Sequence, residues 1–317
     1  MQLQSKILLL LIPLIIIPIL VLGWMAYNLL MEDARDRTRY QVTTLLEQIE
    51  SQKERQLRTA RANASLFAST TLIEQYIRAQ SSSRDTGNLE QQVMNLLFNY
   101  QLAYPEYYEI RILNRDGKEQ IRSVLGKGDN QATDESSSGY FIEASNNPDI
   151  TYTTFFRNPD NGQQALLTSK PLYLLHKNGA HTAKELYGYL MLTIDLGFLE
   201  AQAGNKNVAE NGEVFFTDDS GTILFHSSAA LVGKQLPAEL FSKARQHADG
   251  GTSIKGRYKG KDAHFQSIKL HDRMHALVAH HEDQLLVKSI SLGRTVTVIT
   301  LLAILLATAF LFGILRK

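Results

Sequence analysis

Glu109-Ile110-Arg111-Ile112-Leu113-Asn114-Arg115-Asp116-Gly117, running on into Lys118-Glu119-Gln120-Ile121-Arg122-Ser123, has a counterpart 104 residues later. There the chain reads Glu213-Val214-Phe215-Phe216-Thr217-Asp218-Asp219-Ser220-Gly221 and then Thr222-Ile223-Leu224-Phe225-His226-Ser227. The copies align without a gap, Glu on Glu, Gly on Gly and Ser on Ser. Each is an apolar run, an Asn/Asp-x-x-Gly turn and a second run, which predicts a β-hairpin with a left-handed residue at the glycine. The spacing is too long for a solenoid repeat and fits a duplicated small domain. Arg111 faces Phe215 in this alignment and Arg122 faces His226, so the first copy carries guanidinium groups where the second is apolar or aromatic.

Around the hairpins the chain is ordinary in composition. It has 317 residues, 44% of them hydrophobic, a net charge of +1 and no cysteine. The charge excludes a strong basic field for nucleic acid, and the soluble part must stand on its core without disulfides. Apolar residues concentrate at both ends, from Ile7 to about Leu30 and from Thr295 to Leu315. Each run is long enough for a membrane span, and Pro13 and Pro18 are tolerated there. A signal peptide would be shorter and show a small-residue cleavage site before Glu32. Lys6 precedes the first run and Arg316 and Lys317 follow the second, which predicts cytoplasmic termini and an extracytoplasmic segment between. The expected layout is a cytoplasmic end at 1–6, spans at 7–30 and 293–315, soluble modules at 31–200 and 201–288, and a short cytoplasmic end at 316–317.

From Glu32 to about Arg78 there is neither proline nor glycine. Val42, Leu46, Ile49, Leu57, Ala60, Ala64 and Phe67 fall on one face of a long helix, interrupted at Lys53. This stripe either lies along the domain's own sheets or, near the membrane, pairs with its copy in a homodimer. Asn88 is placed to cap a second helix containing Leu89, Val93, Leu96, Leu97 and Tyr100. Gly126–Gly139 reads as a loop or flap, and Tyr140–Ala144 as a helical turn. Strands follow at 150–157, 165–173 and 187–195. The second half repeats the plan with the hairpin at 213–227, a helix at 238–247 and strands at 251–258, 263–270 and 274–280. The pattern is α+β, a long N-terminal helix with two antiparallel-sheet modules in series, flanked by two transmembrane helices.

Taken together, these features resemble a double Cache sensor domain, two PAS-like modules in tandem, over about residues 30–290. Ile223-Leu224-Phe225-His226 followed by Leu231-Val232-Gly233-Lys234 is similar to the family's membrane-near signature. Asp195 in Leu192-Thr193-Ile194-Asp195-Leu196 matches the sequence closing its membrane-distal module, and Tyr140-Phe141 sits where the family has Trp-Tyr. The amino-acid-binding pattern fits in part: Asp195 would receive a ligand ammonium, but the expected arginine is Ser138 and the later tyrosine falls nearest Phe156. The resemblance implies the extracytoplasmic input domain of a bacterial inner-membrane chemoreceptor, sensor histidine kinase or cyclase-type protein. It also implies a cytoplasmic output domain or partner protein that receives the signal.

A buried arginine needs an anionic partner. For Arg111 and Arg122 that partner is either a ligand or one of Glu109, Glu119 and Asp195. Counting from the turn with one bulge, the two arginines point to opposite faces. Tyr140, Phe141, Tyr152 and Phe156 stand ready as aromatic walls, or as core. The histidines at 264, 271, 275, 280 and 281 match no common metal spacing. No hydrolase elbow, phosphate loop or metalloprotease motif occurs. The expectation is a sensor without catalytic residues, cofactor or metal. It binds a small polar or anionic ligand, amino-acid-like or another carboxylate, through Arg111, Arg122, Tyr140, Phe141, Tyr152, Phe156 and Asp195, and relays a shift through the second span. The alternative is a membrane-anchored interaction subunit that binds no small ligand.

Overall fold

Periodicity of three and four from residue 42 onward produces a helix, α1, that runs unbroken from Gln2 to Ala68 in the computed structural model of the chain. The structure describes residues 2–82, 85–126, 132–159, 161–178, 181–204, 212–271 and 273–281, with residues 295, 297–299, 301–302, 304–306 and 309 near the C-terminus. The expected helix to Arg78 is divided at Thr70, whose backbone is extended, and α2 (Thr71–Ser81) begins afresh. Hydroxyls cause the break: Ser69 and Thr70 both donate to the Leu66 carbonyl, competing with the helical ladder. α3 spans Gly87–Ala103, and Asn88 is not its cap. Its side chain lies within the first turn and accepts from Gln92 Nε2.

Two five-stranded antiparallel sheets follow, with the same internal order. The first contains β1 (Tyr107–Asn114), β2 (Glu119–Val124), β3 (Tyr152–Arg157), β4 (Gln164–Asn178) and β5 (His181–Asp195), in the order β2-β1-β5-β4-β3. The second contains β6 (Gly212–Thr217), β7 (Ile223–His226), β8 (Ile254–Tyr258), β9 (Lys261–His271) and β10 (Met274–His281), in the order β7-β6-β10-β9-β8. β4 and β5 are longer than expected, pairing from Ala165↔Asp195 out to Asn178↔His181. Short helices α4 (Gly139–Ser145), α5 (Gly197–Gly204) and α6 (Ala238–Gln246) complete the chain, α5 being an addition to the expected elements.

The stripe on α1 belongs to this chain's own core. Val42, Leu46, Ile49, Leu57, Ala60, Ala64 and Phe67 are buried in one cluster with Ile110, Ile112 and Leu192 of the first sheet and Val214, Phe216 and Val278 of the second. The dimer seam through Val42, Leu46 and Ile49 is therefore corrected, because intramolecular packing already covers those side chains. Lys53 breaks the stripe where the sheets meet, and its buried ammonium donates to the Leu270 carbonyl at 2.7 Å and pairs with Glu54 at 2.7 Å. Among the described residues no helix is long and apolar enough to cross a membrane. Residues 293–315 lie largely outside the described residues. Leu20, Leu22, Trp24, Met25 and Leu29 on α1, and Ile299, Leu302 and Leu305, are nevertheless exposed.

Candidate functional site

Hairpin register decides which side chains meet. In the first hairpin Asn114 N–H donates to Lys118 O and Gly117, at φ +86°, closes the turn onto Asn114 O. Leu113 then pairs with Glu119, but Ile112 pairs with Ile121, so Gln120 is left as an extra residue. This second bulge makes Arg111 and Arg122 direct partners on one face. The expectation of opposite faces counted the turn alone and is corrected. The later hairpin carries the same bulge at Leu224 and pairs Phe215 with His226.

Cross-strand rows then place the candidate residues. Arg122, Arg111, Met191, Ser169 and Tyr152 form one row across the first sheet, and Glu109, Thr193, Leu167 and Thr154 the next. Asp195, Ala165 and Phe156 form a third row on the same face. α4 covers this face; it starts where Ser138 Oγ accepts from Phe141 N–H. Tyr140 and Phe141 are buried with Leu113, Leu167, Tyr189 and Met191. Phe156 lies 5.0 Å from the Tyr140 ring, and Phe141 stands edge-on to Tyr189 at 5.6 Å. All seven candidates thus belong to one face of the sheet or to α4, with Tyr140, Phe141 and Phe156 packed together where α4 covers it.

At its centre is a caged arginine. Arg111 is 1% exposed, Glu109 1% and Glu135 3%. Arg111 Nη1 donates to Glu135 Oε1 at 2.5 Å, Nη2 donates to Tyr140 Oη at 3.0 Å, and Nε lies 3.6 Å from Glu109 Oε1. Thr193 Oγ1 donates to the other oxygen of Glu109. Burial alone pulls the Arg111 guanidinium down, but Glu109, Tyr140 and Glu135 outweigh it and hold it firmly charged. Burial pushes the Tyr140 phenol up, against the opposing pull of Arg111, so it acts as a neutral hydroxyl. Ser169, 1% exposed in the Arg111 row, has an Oγ with no hydrogen-bond partner among the described residues. Neither Ser169 nor Glu135 was legible as a site residue.

The other candidates are more peripheral. Arg122 forks onto Glu119 with Nε at 2.8 Å and Nη2 at 2.6 Å, and burial raises the Glu119 carboxyl despite that partner. Tyr152 Oη donates to Glu143 of α4. Asp195 sits four residues beyond Met191 on β5, about 13 Å from the Arg111 row at the backbone. Its Oδ1 accepts from Gly197 N–H at 2.6 Å and it lines a cleft of about 380 Å³ between the sheets, with Arg157, Gln164, Glu200 and His226. The structure does not bring Asp195 to the caged arginine.

Glu135 N–H donates to Gly117 O just as Leu236 N–H donates to Gly221 O. A Cβ added at Gly117 would meet Phe141, and one at Gly221 would meet Phe241, so α4 and α6 occupy equivalent places. Arg111, Glu135 and Tyr140 in the first module therefore stand where Phe215, Leu236 and Leu240 pack in the second. Ser267, the equivalent of Ser169, donates to Ala244 O on α6 at 2.6 Å. Its distal counterpart makes no such bond to α4. The second copy packs Phe215, Leu236 and Leu240 as apolar core beside the His226–Tyr258 hydrogen bond; the first has buried charge there and a hydroxyl without a partner among the described residues.

Two sheets of the same order on a shared helix form a tandem PAS-like architecture. The chain belongs to the double Cache family, whose Cache domain profile matches residues 28–287. Similar folds include the sensory domain of the Campylobacter jejuni chemoreceptor Tlp3, solved with isoleucine bound (15% identity, 80% of this chain, 97% of that one, TM-score 0.58). A domain of a sensory box/GGDEF protein from Vibrio parahaemolyticus is also similar (17%, 81% and 99%, 0.54), as is the extracellular domain of the histidine kinase vpHK1S-Z8 (15%, 83% and 96%, 0.56). No curated protein matches the chain. Double Cache domains are sensory input domains of membrane receptors, not catalysts.

Proposed function

We propose that this chain senses a small polar ligand outside the cytoplasm. In this reading residues 31–200 bind the ligand, 201–288 form the membrane-near module, and helices at 7–30 and 293–315 anchor both ends, with cytoplasmic termini. The carrying observation is the exchange of Phe215, Leu236 and Leu240 for Arg111, Glu135 and Tyr140 at the same places in a duplicated fold. Buried charge in place of a working apolar core adds little to stability, so a ligand is its best rationale. An anionic ligand group replaces Glu135 on Arg111 and offers Ser169 a partner. Tyr140, Phe141, Tyr152 and Phe156 wall the space, Arg122 flanks it, and Asp195 favours a cationic or donating end. The Tlp3 domain was solved with isoleucine, which puts amino acids first among candidates. The exposed apolar side chains near residues 20–29 and 299–305 support lipid as their cover. Through the second anchor, ligand binding is relayed to a cytoplasmic output domain or partner protein. A homodimer through α1 would use a face other than the buried stripe.

The test is a thermal-shift screen of L-amino acids, other carboxylates and amines, repeated on Arg111→Ala, Glu135→Gln and Asp195→Ala. The reading expects a stabilising hit that is lost in Arg111→Ala. A hit unaffected by all three variants, or no hit from these classes, counts against it. Reporter fusions after Lys317 test the topology, which requires a cytoplasmic signal there.

A further inference from the structure

Beside the packing of Leu270, Met274 and Ala276 in the core cluster shared with the first sheet, three contacts among the described residues hold the end of β9 and the start of β10 to the first module. Lys53 of α1 donates to Leu270 O at 2.7 Å. The His271 ring stands edge-on to Phe155 of β3 at 5.1 Å. Arg273 pairs with Glu143 of α4, whose other carboxylate oxygen accepts from Tyr152 Oη. The first two contacts come from the spine and the sheet. The third comes from the short helix that covers the caged arginine, and Tyr140 and Glu143 lie one turn apart on it.

We propose that α4 is the moving part of the sensor and that the Glu143–Arg273 ion pair transmits its displacement to β10. This rests on reading the Arg111 face as the ligand site. α4 sits on the sheet through the apolar packing of Tyr140 and Phe141 on Leu113, Leu167, Tyr189 and Met191, and its polar ties to the sheet's side chains among the described residues are Tyr140 on Arg111 and Tyr152 on Glu143. Ser169 does not fasten it as Ser267 fastens α6. A group that displaces Tyr140 from Arg111 therefore acts on α4 directly, and one that displaces Glu135 acts through the turn in which Ser138 N–H and Oγ both donate to the Glu135 carbonyl. β10 is hydrogen-bonded on both sides, to β6 and β9, so a pull at Arg273 is delivered to the second sheet as a body. Among the described residues β10 is also the last strand before the C-terminal apolar segment. The pair is half exposed, 49% for Arg273 and 37% for Glu143, so its loss should disturb transmission without unfolding either module. A ligand shifts such an equilibrium only by its preference for one state, and here the preference is for Arg111 freed from Glu135.

The experiment is amide hydrogen exchange on the full chain in lipid nanodiscs, with no ligand. Glu135→Gln keeps the shape of the side chain and removes its charge on Arg111, standing in for ligand; Tyr140→Phe is the second perturbation. Each should raise exchange at least twofold both in α4 and in residues 270–276. In an Arg273→Ala background α4 should still respond, while the response at 270–276 falls to less than half. Reversing the pair, Glu143→Arg with Arg273→Glu, should restore it. An undiminished response at 270–276 in Arg273→Ala overturns the proposal, as does a parent in which α4 or 270–276 fails to respond to both perturbations. Because no ligand is added, a failed ligand screen leaves this result standing. Conversely, coupling that bypasses Arg273 defeats the proposal even if a ligand is found.

Discussion

Replacing the polar cluster of the first module by the residues of the second separates a functional role from a structural one. The variant combines Arg111→Phe, Glu135→Leu and Tyr140→Leu. A fourth change, Glu109→Gln, is needed because the counterpart Glu213 is 32% exposed and paired with Lys259, whereas Glu109 would be left buried without a guanidinium. The hydrogen bond from Thr193 survives that change, since an amide oxygen can still accept it. Removing Arg111 alone takes the guanidinium away from two buried carboxylates and should cost about 3–5 kcal/mol. For a domain of this size that lowers Tm on the order of 10 °C. The fourfold variant replaces the whole network with apolar volume, and such exchanges run from neutral to about 1–4 kcal/mol stabilising. Thermal and urea melts of residues 31–288 measure both, beside the ligand screen. We expect Arg111→Ala to melt early and the fourfold variant to melt at or above the parent while binding nothing. If the fourfold variant melts as early as Arg111→Ala, the cluster holds the fold together and its equivalence to Phe215, Leu236 and Leu240 is wrong.

Three further outcomes follow from the same contacts. Burial, with His264 and His281 beside it, pulls the His280 imidazole down to about 4. His280 thus stays neutral in the fold while the unfolded chain protonates below about 6.5, and stability present above that pH is lost as pH falls towards 4, by at most about 3 kcal/mol. His280→Leu should flatten the fall in Tm between pH 7 and 4.5, and an unchanged slope would show that other groups cause it. Gly117→Ala forces a side chain into φ +86° with its Cβ 2.7 Å from Ser136 N, so it should cost about 1–3 kcal/mol and loosen the Glu135 segment. Gly139→Ala, with open space around it, serves as the control and should melt like the parent. Single cysteines at Val42, Leu46 and Ile49 should stay uncross-linked between copies in membranes, while efficient linking at these sites would mean that α1 separates from its own sheets.

Much of the fold was legible because its signals are local or repeated. The Asn114–Gly117 and Asp218–Gly221 turns, the 104-residue repeat and the three-and-four spacing on α1 each report on neighbours in sequence. The site was less legible because it depends on register. One extra residue, Gln120, moves Arg122 onto the face of Arg111, and no propensity marks that bulge. Glu135 escaped for another reason: the ungapped repeat ends at Ser123, and the loop that follows is longer in the first module than in the second. Ser169 looked like any polar residue in a strand, and only its pairing with Met191 and the missing bond to α4 distinguish it. Asp195 was read from its family motif alone, and the structure gives it a capping bond and the cleft between sheets.

The most direct test of the sensing claim is a structure of residues 31–288 with a screened ligand bound. The account predicts the ligand under α4, its anionic group within hydrogen-bond distance of Arg111 in place of Glu135, and Ser169 Oγ newly partnered. Ligand bound in the second module or confined to the Asp195–Arg157 cleft, with Arg111 still clasped by Glu135 and Tyr140, would contradict it.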